Sequence, residues 1–344
     1  DKLKDGLKNV NAQKYILCML EQEPDAEAAL VSLNPYNGEI VSLVGGTNFN
    51  KSQFNRALQA LRQPGSSFKP ILYAAALENG FTPATTIIDS PEALGGVEGL
   101  NWKPGNYDGA FKGPMTLRRA LEVSRNVPTI KIAQDLGVDK IHMFSSRIGL
   151  NAEMPKDLSV SLGSFGVNLL NLTATYGIFP NGGKKLRPKA IVSITDRDGK
   201  RYFLDNMVAP LDGVAEDLDI SEEPTAVATE STSAEDKPEE INDTKPNPFL
   251  TGLVGDQVYD SRLAYVMTNL LRGVVLYGTG RGAKEVSTFL GGKTGTTNNY
   301  VDAQFIGFSS NLVTGVWTGF DNNESLGFGE TGARSALPIW KEFM

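Results

Sequence analysis

The chain has 344 residues, 40% of them hydrophobic, enough to bury a sizeable core in one large domain or two ordinary ones. A single cysteine, Cys18, excludes an intrachain disulfide. A single histidine, His142, leaves no Cys/His set for zinc, so no metal or other cofactor is expected. The net charge is −7, but residues 212–245 hold twelve carboxylates against two lysines. That segment carries −10, the remainder carries +3, and a mildly basic body of this kind does not point to nucleic-acid binding.

No apolar run is long enough for a membrane helix. No signal peptide is evident, and a chain that starts at Asp1 reads as a piece of a longer protein. Residues 3–22 have a helical pattern weakened by Gly6. "EAALVSL", "NPYNG" and "EIVSLVGG" then read as strand, turn and strand, with Asn37-Gly38 supplying the turn. A helix is expected from about Ser66 to Glu78, stopping at Asn79-Gly80. Residues 81–115, rich in Gly and Pro, read as an irregular excursion.

A helical region broken by loops follows from Thr116 to about Asn181, then a strand pair near "DRDGK" within 187–203. The acidic insertion at 211–247 has little apolar surface to offset the entropy of ordering and is expected to be mobile. An amphipathic helix is expected over 255–277, then strands in "LGGKTGTT", "AQFIGFSS" and "LVTGVWTGFDN", and a helix over 335–344. Early strands, a block of helices and late strands predict an α+β fold. Its antiparallel sheet is built from both chain ends and covered by helices, beside a mainly helical subdomain.

Three short motifs carry chemistry. In "RQPGSSFKP", Pro64-Gly65 turns the chain into a helix whose first turn tolerates Pro70, because its N–H groups have no intrahelical partner. Ser66 and Lys69, three apart, then share a face. Serine needs a base, and lysine becomes one only if burial or a neighbouring cation lowers its pKa by about 3 units, roughly 4 kcal/mol. S-x-x-K alone is expected about once by chance in such a chain, and taken alone a helix cap beside a surface lysine explains it better.

In "LEVSRNVPTIKIAQDLG", Ser124 and Asn126 fall on a short loop between helices, able to face one cleft. The second S-x-N, Ser309-Ser310-Asn311, lies between strand-like runs and reads as a hairpin turn. In "GGKTGTTNN", Lys293, Thr294, Gly295 and Thr296 begin a strand flanked by glycines, a carboxylate-binding edge or an exposed turn. "GTGRGA" at 278–283 lacks the ending of a phosphate loop and reads as a Gly-rich turn. A Ser-His-Asp hydrolase would need His142, which sits in a helix-like apolar pattern and reads as packed or surface-lying.

The order S-x-x-K, S-x-N, K-T-G resembles that of penicillin-binding proteins and serine β-lactamases. "FNRALQALRQPGSSFKPILYAAALE", "LGSFGVNLLNLTATYGIFPNGG" and "GGKTGTTNNYVDAQFIGF" are similar to the transpeptidase domain of bifunctional, class A penicillin-binding proteins, over about residues 28–210 and 250–344.

The resemblance implies a transpeptidase domain at 26–344, behind an interdomain linker remnant at 1–25. The activity implied is D,D-transpeptidation of peptidoglycan stem peptides ending in D-Ala-D-Ala, through an acyl-enzyme that β-lactam antibiotics also form. Ser66 would be the nucleophile and Lys69 its base. Ser124, oriented by Asn126, would pass a proton to the leaving amine. Lys293 would depress the Lys69 pKa and attract the substrate carboxylate. Thr294, Gly295, Thr296 and Thr297 would line that carboxylate site, and the N–H groups of Ser66 and Thr296 would form the oxyanion hole.

The family's full chain adds a glycosyltransferase domain and a membrane anchor, implying an extracytoplasmic site at the inner membrane or periplasm. Where the family often has an aromatic after "DA", this chain has Gln304, so a more polar pocket is expected there. A β-lactamase, a D,D-carboxypeptidase or a β-lactam sensor would share the three motifs. For the first, Glu153 in "NAEMPKDL" lacks the asparagine four residues on that a deacylating site would suggest.

Overall fold

A computed structural model describes residues 24–91, 94–95, 101–102, 104–199, 201–203, 221–222 and 255–344. The helix expected over 3–22, all but the end of the 1–25 segment, and nearly all of the acidic insertion lie outside these residues.

Strand β1 (Glu27–Leu33) turns through "NPYNG" into β2 (Ile40–Val44). Gly38 takes the left-handed conformation of that turn, and the Asn34 and Asn37 side chains accept from the N–H groups of Tyr36 and Glu39. A 3-10 turn, Gly65–Phe68, then leads into α1 (Lys69–Glu78), with Pro70 in the first turn as expected. Every residue of α1 from Lys69 to Leu77 is buried, so "KPILYAAALE" is a central helix rather than an amphipathic one.

The 81–115 excursion is more ordered than its composition predicts. Its ends pair as β3 (Thr86–Asp89) and β4 (Gly113–Thr116). The helical block is α2 (Leu117–Glu122), α3 (Asn126–Leu136), α4 (Val138–Arg147) and α5 (Leu169–Tyr176). Thr116, Asn168 and, later, Asp260 cap their helices with side-chain oxygens. His142 lies on α4, half-buried, donates from Nε2 to Pro155 O at 3.0 Å and is not among the residues lining the Ser66 cleft.

Around "DRDGK", Ser193–Thr195 pairs with Arg201–Phe203, and Ser221–Glu222 of the acidic insertion adds a third short strand. Helix α6 (Ser261–Tyr277) starts later than the apolar pattern suggests. Asp260 caps it, while the preceding backbone bonds to residues 183–185. The chain ends in β5 (Gly291–Thr296), β6 (Asp302–Phe308), β7 (Val313–Gly319) and α7 (Leu337–Phe343).

The five long strands form one antiparallel sheet in the order β5-β6-β7-β1-β2, joining both chain ends as the sequence predicts. Alternation divides its residues between two cores. Ala29, Val31, Leu33, Ile306 and Phe308 face the large core shared with α1, α3, α5 and α6. Leu30, Phe305 and Val316 face α7 on the other side. There Trp340 is fully buried, meets Phe305 edge-on at 5.0 Å, and donates from Nε1 to Thr314 O at 3.0 Å. Trp340→Ala therefore costs about 3–5 kcal/mol of stability in urea unfolding, as truncation of a buried aromatic does.

Candidate active site

Strand β5 is the sheet edge, and it packs against the 65–68 turn and α6. A cleft of about 800 Å³ opens at this junction, lined among others by Ser66, Ser124, Asn126, Thr279, Thr294 and Thr296. Glycine makes the close approach possible. A Cβ on Gly295 would sit 2.6 Å from Pro64 O, and one on Gly65, at φ +52°, would sit 2.8 Å from Thr296 O. The two serines of "GSSF" are thereby separated in role. Ser67 is buried and donates to Pro64 O at 2.6 Å, whereas Ser66 faces the cleft.

Lys69, three residues on, is fully buried. Its Nζ donates to Ser124 O at 2.8 Å, Arg125 O at 3.1 Å and Asn126 Oδ1 at 2.8 Å, and lies 3.4 Å from Ser124 Oγ. Lys293, also fully buried, donates to the same Ser124 Oγ at 2.9 Å and to Thr294 O at 3.0 Å. One hydroxyl thus stands between two lysines drawn from a helix and a strand. Ser124 reaches it through a left-handed backbone (φ +57°), a conformation costing a non-glycine residue about 1–2 kcal/mol. Asn126 is the first residue of α3 rather than part of the loop; its amide gives Oδ1 to Lys69 and donates from Nδ2 to Gly105 O.

Burial first, then the Lys293 and Arg125 cations, pull Lys69 well below the usual lysine range. The oxygens around its Nζ act in the opposite sense by favouring the ammonium form. Burial alone brings Lys293 down to about 7. Both amines therefore give up a proton more readily than an ordinary lysine. Among the described residues no carboxylate, histidine or cysteine lines the cleft, and no cluster of three or more acidic, His or Cys side chains could hold a metal ion.

A family model described as the penicillin binding protein transpeptidase domain matches residues 28–325. The chain belongs to this family. It is 40% identical to penicillin-binding protein 1A of Pseudomonas aeruginosa over 340 residues, covering 94% of this chain and 40% of that protein. It is 36% identical to penicillin-binding protein 1A of Neisseria gonorrhoeae, over 94% of this chain and 36% of the relative. The crystal structure of penicillin-binding protein 1A from Haemophilus influenzae superimposes with a TM-score of 0.76 at 33% identity, covering 94% of this chain and 48% of that one. The chain thus spans about 40% of the length of its curated relatives.

Within this penicillin-binding transpeptidase domain, several polar residues that local sequence reading passed over support the site. Arg125, the middle of S-R-N, is buried and pairs with Asp89 at 2.8 Å and Asp108 at 2.8 Å. Asn106 donates to Asp89 and accepts from the N–H groups of Asn126 and Val127, capping α3 across twenty residues of chain. Thr279, from the "GTGRGA" turn, bonds to Thr294 Oγ1 at 2.7 Å. Asn106 sits in a Pro-Gly-Asn turn pattern, but nothing local identifies its distant partner.

One expectation changes. Gln304 is buried, donating to Gln63 O and accepting from Ser67 Oγ, so it pins the Ser66 turn from beneath instead of making the pocket polar. Thr297 lines the cleft, and its hydroxyl accepts from Asp302 N–H at 2.8 Å, closing the β5–β6 turn. Ser309 closes the β6–β7 turn, accepting from Asn311 and Leu312 N–H groups, as its hairpin reading predicts.

A lysine whose folded pKa is lowered binds fewer protons than its unfolded counterpart between about pH 7 and 10.5. Unfolding free energy should therefore rise with pH through that window, by up to about 1.4 kcal/mol per pH unit from Lys293. Lys293→Met should lose this slope in urea titrations at pH 7, 8 and 9.

Proposed function

We propose that this chain is the transpeptidase domain of a bifunctional penicillin-binding protein, a D,D-transpeptidase working through a Ser66 acyl-enzyme. The observation that carries this reading is the pair of buried lysines on either side of Ser124 Oγ, at the floor of a cleft that Ser66 faces. Ser66 Oγ attacks the carbonyl between the two terminal D-alanines of a stem peptide, and Lys69 takes its proton. The N–H groups of Ser66 and Thr296 receive the oxyanion, an electrostatic contribution of about 3–4 kcal/mol.

Lys69 then returns the proton through Ser124 to the leaving amine of D-alanine, the path along which Nζ already lies. Asn126 keeps the Lys69 amine on that path. Lys293, with Thr294 and Thr296, holds the terminal carboxylate. Gly295 admits the close backbone approach, and Thr297 holds the turn. An amine from a second stem peptide attacks the acyl-enzyme and re-forms an amide, so the net reaction exchanges one peptide bond for another. β-Lactams acylate the same serine. The absence of a carboxylate among the described cleft residues favours an amine acceptor over water, because no group of the glutamate kind is there to activate water. Glu153 is exposed and outside the cleft lining.

The relatives named penicillin-binding protein 1A are more than twice as long as this chain, which leaves room for the glycosyltransferase domain and membrane anchor that the family resemblance implies, with this domain on the extracytoplasmic side. Among the described residues no helix is long and apolar enough to cross a membrane.

A fluorescent penicillin should label the wild-type chain covalently on a denaturing gel, and Ser66→Ala should remain dark. Lys69→Met should fold but acylate on the order of 10²–10⁴-fold more slowly. Label on Ser66→Ala would sink the acyl-enzyme reading, and label lost within seconds would indicate a β-lactamase. Stem peptide plus an amine acceptor should give cross-linked product.

A further inference from the structure

The turn after α6 reaches into the cleft at a point the three motifs do not cover. Gly278 lies so close to the α2 backbone at Glu122 that a side chain there would clash with its carbonyl. Thr279 N donates to Glu122 O at 3.1 Å, and Gly280 N donates to Val274 O at 3.1 Å. Glu122 is itself buried and held by Arg119 at 3.0 Å. Thr279 is thus anchored by its backbone to the end of α2, two residues before Ser124, while its hydroxyl crosses to β5 and meets Thr294 Oγ1 at 2.7 Å. Both threonines line the cleft.

A hydroxyl has one hydrogen to donate and two lone pairs to accept with. Lys293 Nζ approaches Thr294 Oγ1 at 3.5 Å and is a cation or a neutral donor, in either case an N–H donor. If Thr279 also donates to Thr294 Oγ1, both lone pairs are occupied and the Thr294 hydrogen is left to point into the cleft. That is the orientation an arriving carboxylate needs. Had Thr279 accepted instead, the Thr294 hydrogen would be spent inside the wall. In that case the free donor would be Thr279; the first orientation instead leaves it on Thr294, whose Oγ1 lies 3.5 Å from the Lys293 amine that draws the anion.

We propose that Thr279 is a positioning residue for carboxylate recognition, turning the Thr294 hydroxyl outward as a hydrogen-bond donor to the terminal carboxylate of the stem peptide or of a β-lactam. This rests on the acyl-transfer reading above. It also assigns a role to the "GTGRGA" turn, as a brace between the Ser124 loop and the carboxylate strand.

A double-mutant cycle on the rate constant of acylation by fluorescent penicillin tests it. Thr279→Val keeps the β-branched shape and removes the hydroxyl; it should slow acylation on the order of tenfold to a hundredfold, the usual effect of losing a hydrogen bond to a charged group. Thr279→Ser should stay within about twofold of wild type. In a Thr294→Val background, Thr279→Val should have almost no further effect, because its target is gone. Equal slowing by Thr279→Val in both backgrounds would mean a merely structural turn and would overturn the proposal, as would no slowing at all. A wild-type chain that takes no label would instead refute the acyl-enzyme reading itself.

Discussion

Two lysine side chains share one serine hydroxyl in the interior of this protein, and the rest of the architecture serves that arrangement. Lys69 and Lys293 are both fully buried, and Ser124 Oγ lies 3.4 Å from one and 2.9 Å from the other. Two ammonium groups so close would repel by roughly 3 kcal/mol even at an effective dielectric constant of about 20. Burial adds a desolvation cost for each charge. The fold tolerates them by letting the pair surrender protons and by surrounding Nζ of Lys69 with oxygen atoms. A stable resting site with two amines of lowered pKa follows from the same compromise.

That pair can exist only if three parts of the chain close on one another. The 65–68 turn must press on the edge strand, which Gly65 and Gly295 permit by having no side chain at the contact. The Ser124 loop must hold a left-handed residue, and the buried Arg125–Asp89 pair with the Asn106 cap holds it there. Breaking a buried ion pair of this kind by removing one partner leaves an uncompensated charge, a penalty of about 3–5 kcal/mol. The network therefore belongs to the site as much as the motif residues do: Asn106 lines the cleft and Arg125 O accepts from Lys69 Nζ.

Among the described residues the cleft wall combines hydroxyls, amides and backbone with apolar side chains such as Val123 and Leu162, and holds no carboxylate. Such a wall binds an anion without competing charge, and it offers no strong base for water. Under the proposed acyl-transfer reading, the same wall would receive a carboxylate-ended peptide and leave an acyl intermediate for an amine to attack.

Several of these features were legible in the chain itself. The α+β arrangement, the union of both chain ends in one sheet and the dominant elements followed from hydrophobic period, Gly/Pro punctuation and caps, all of which act within a few residues. The spacing of Ser66 and Lys69 put them on one helical face, and the two S-x-N copies could be told apart by whether helices or strands flanked them. What composition and spacing could not decide was everything carried by contacts across long stretches of chain. Gln304 turned inward beneath the serine turn, Thr297 was taken up by its own turn, and Thr279, Asn106 and Asp89 joined the site from segments that read locally as mere turns or loops. The reason is physical: local propensity depends on neighbours in sequence, whereas burial, desolvation and the hydrogen bonds that answer them depend on neighbours in space. Whether Lys69 is a surface cation or a buried amine of lowered pKa is decided only in the tertiary structure, first by its burial and then by the Lys293 cation that β5 brings to the same hydroxyl.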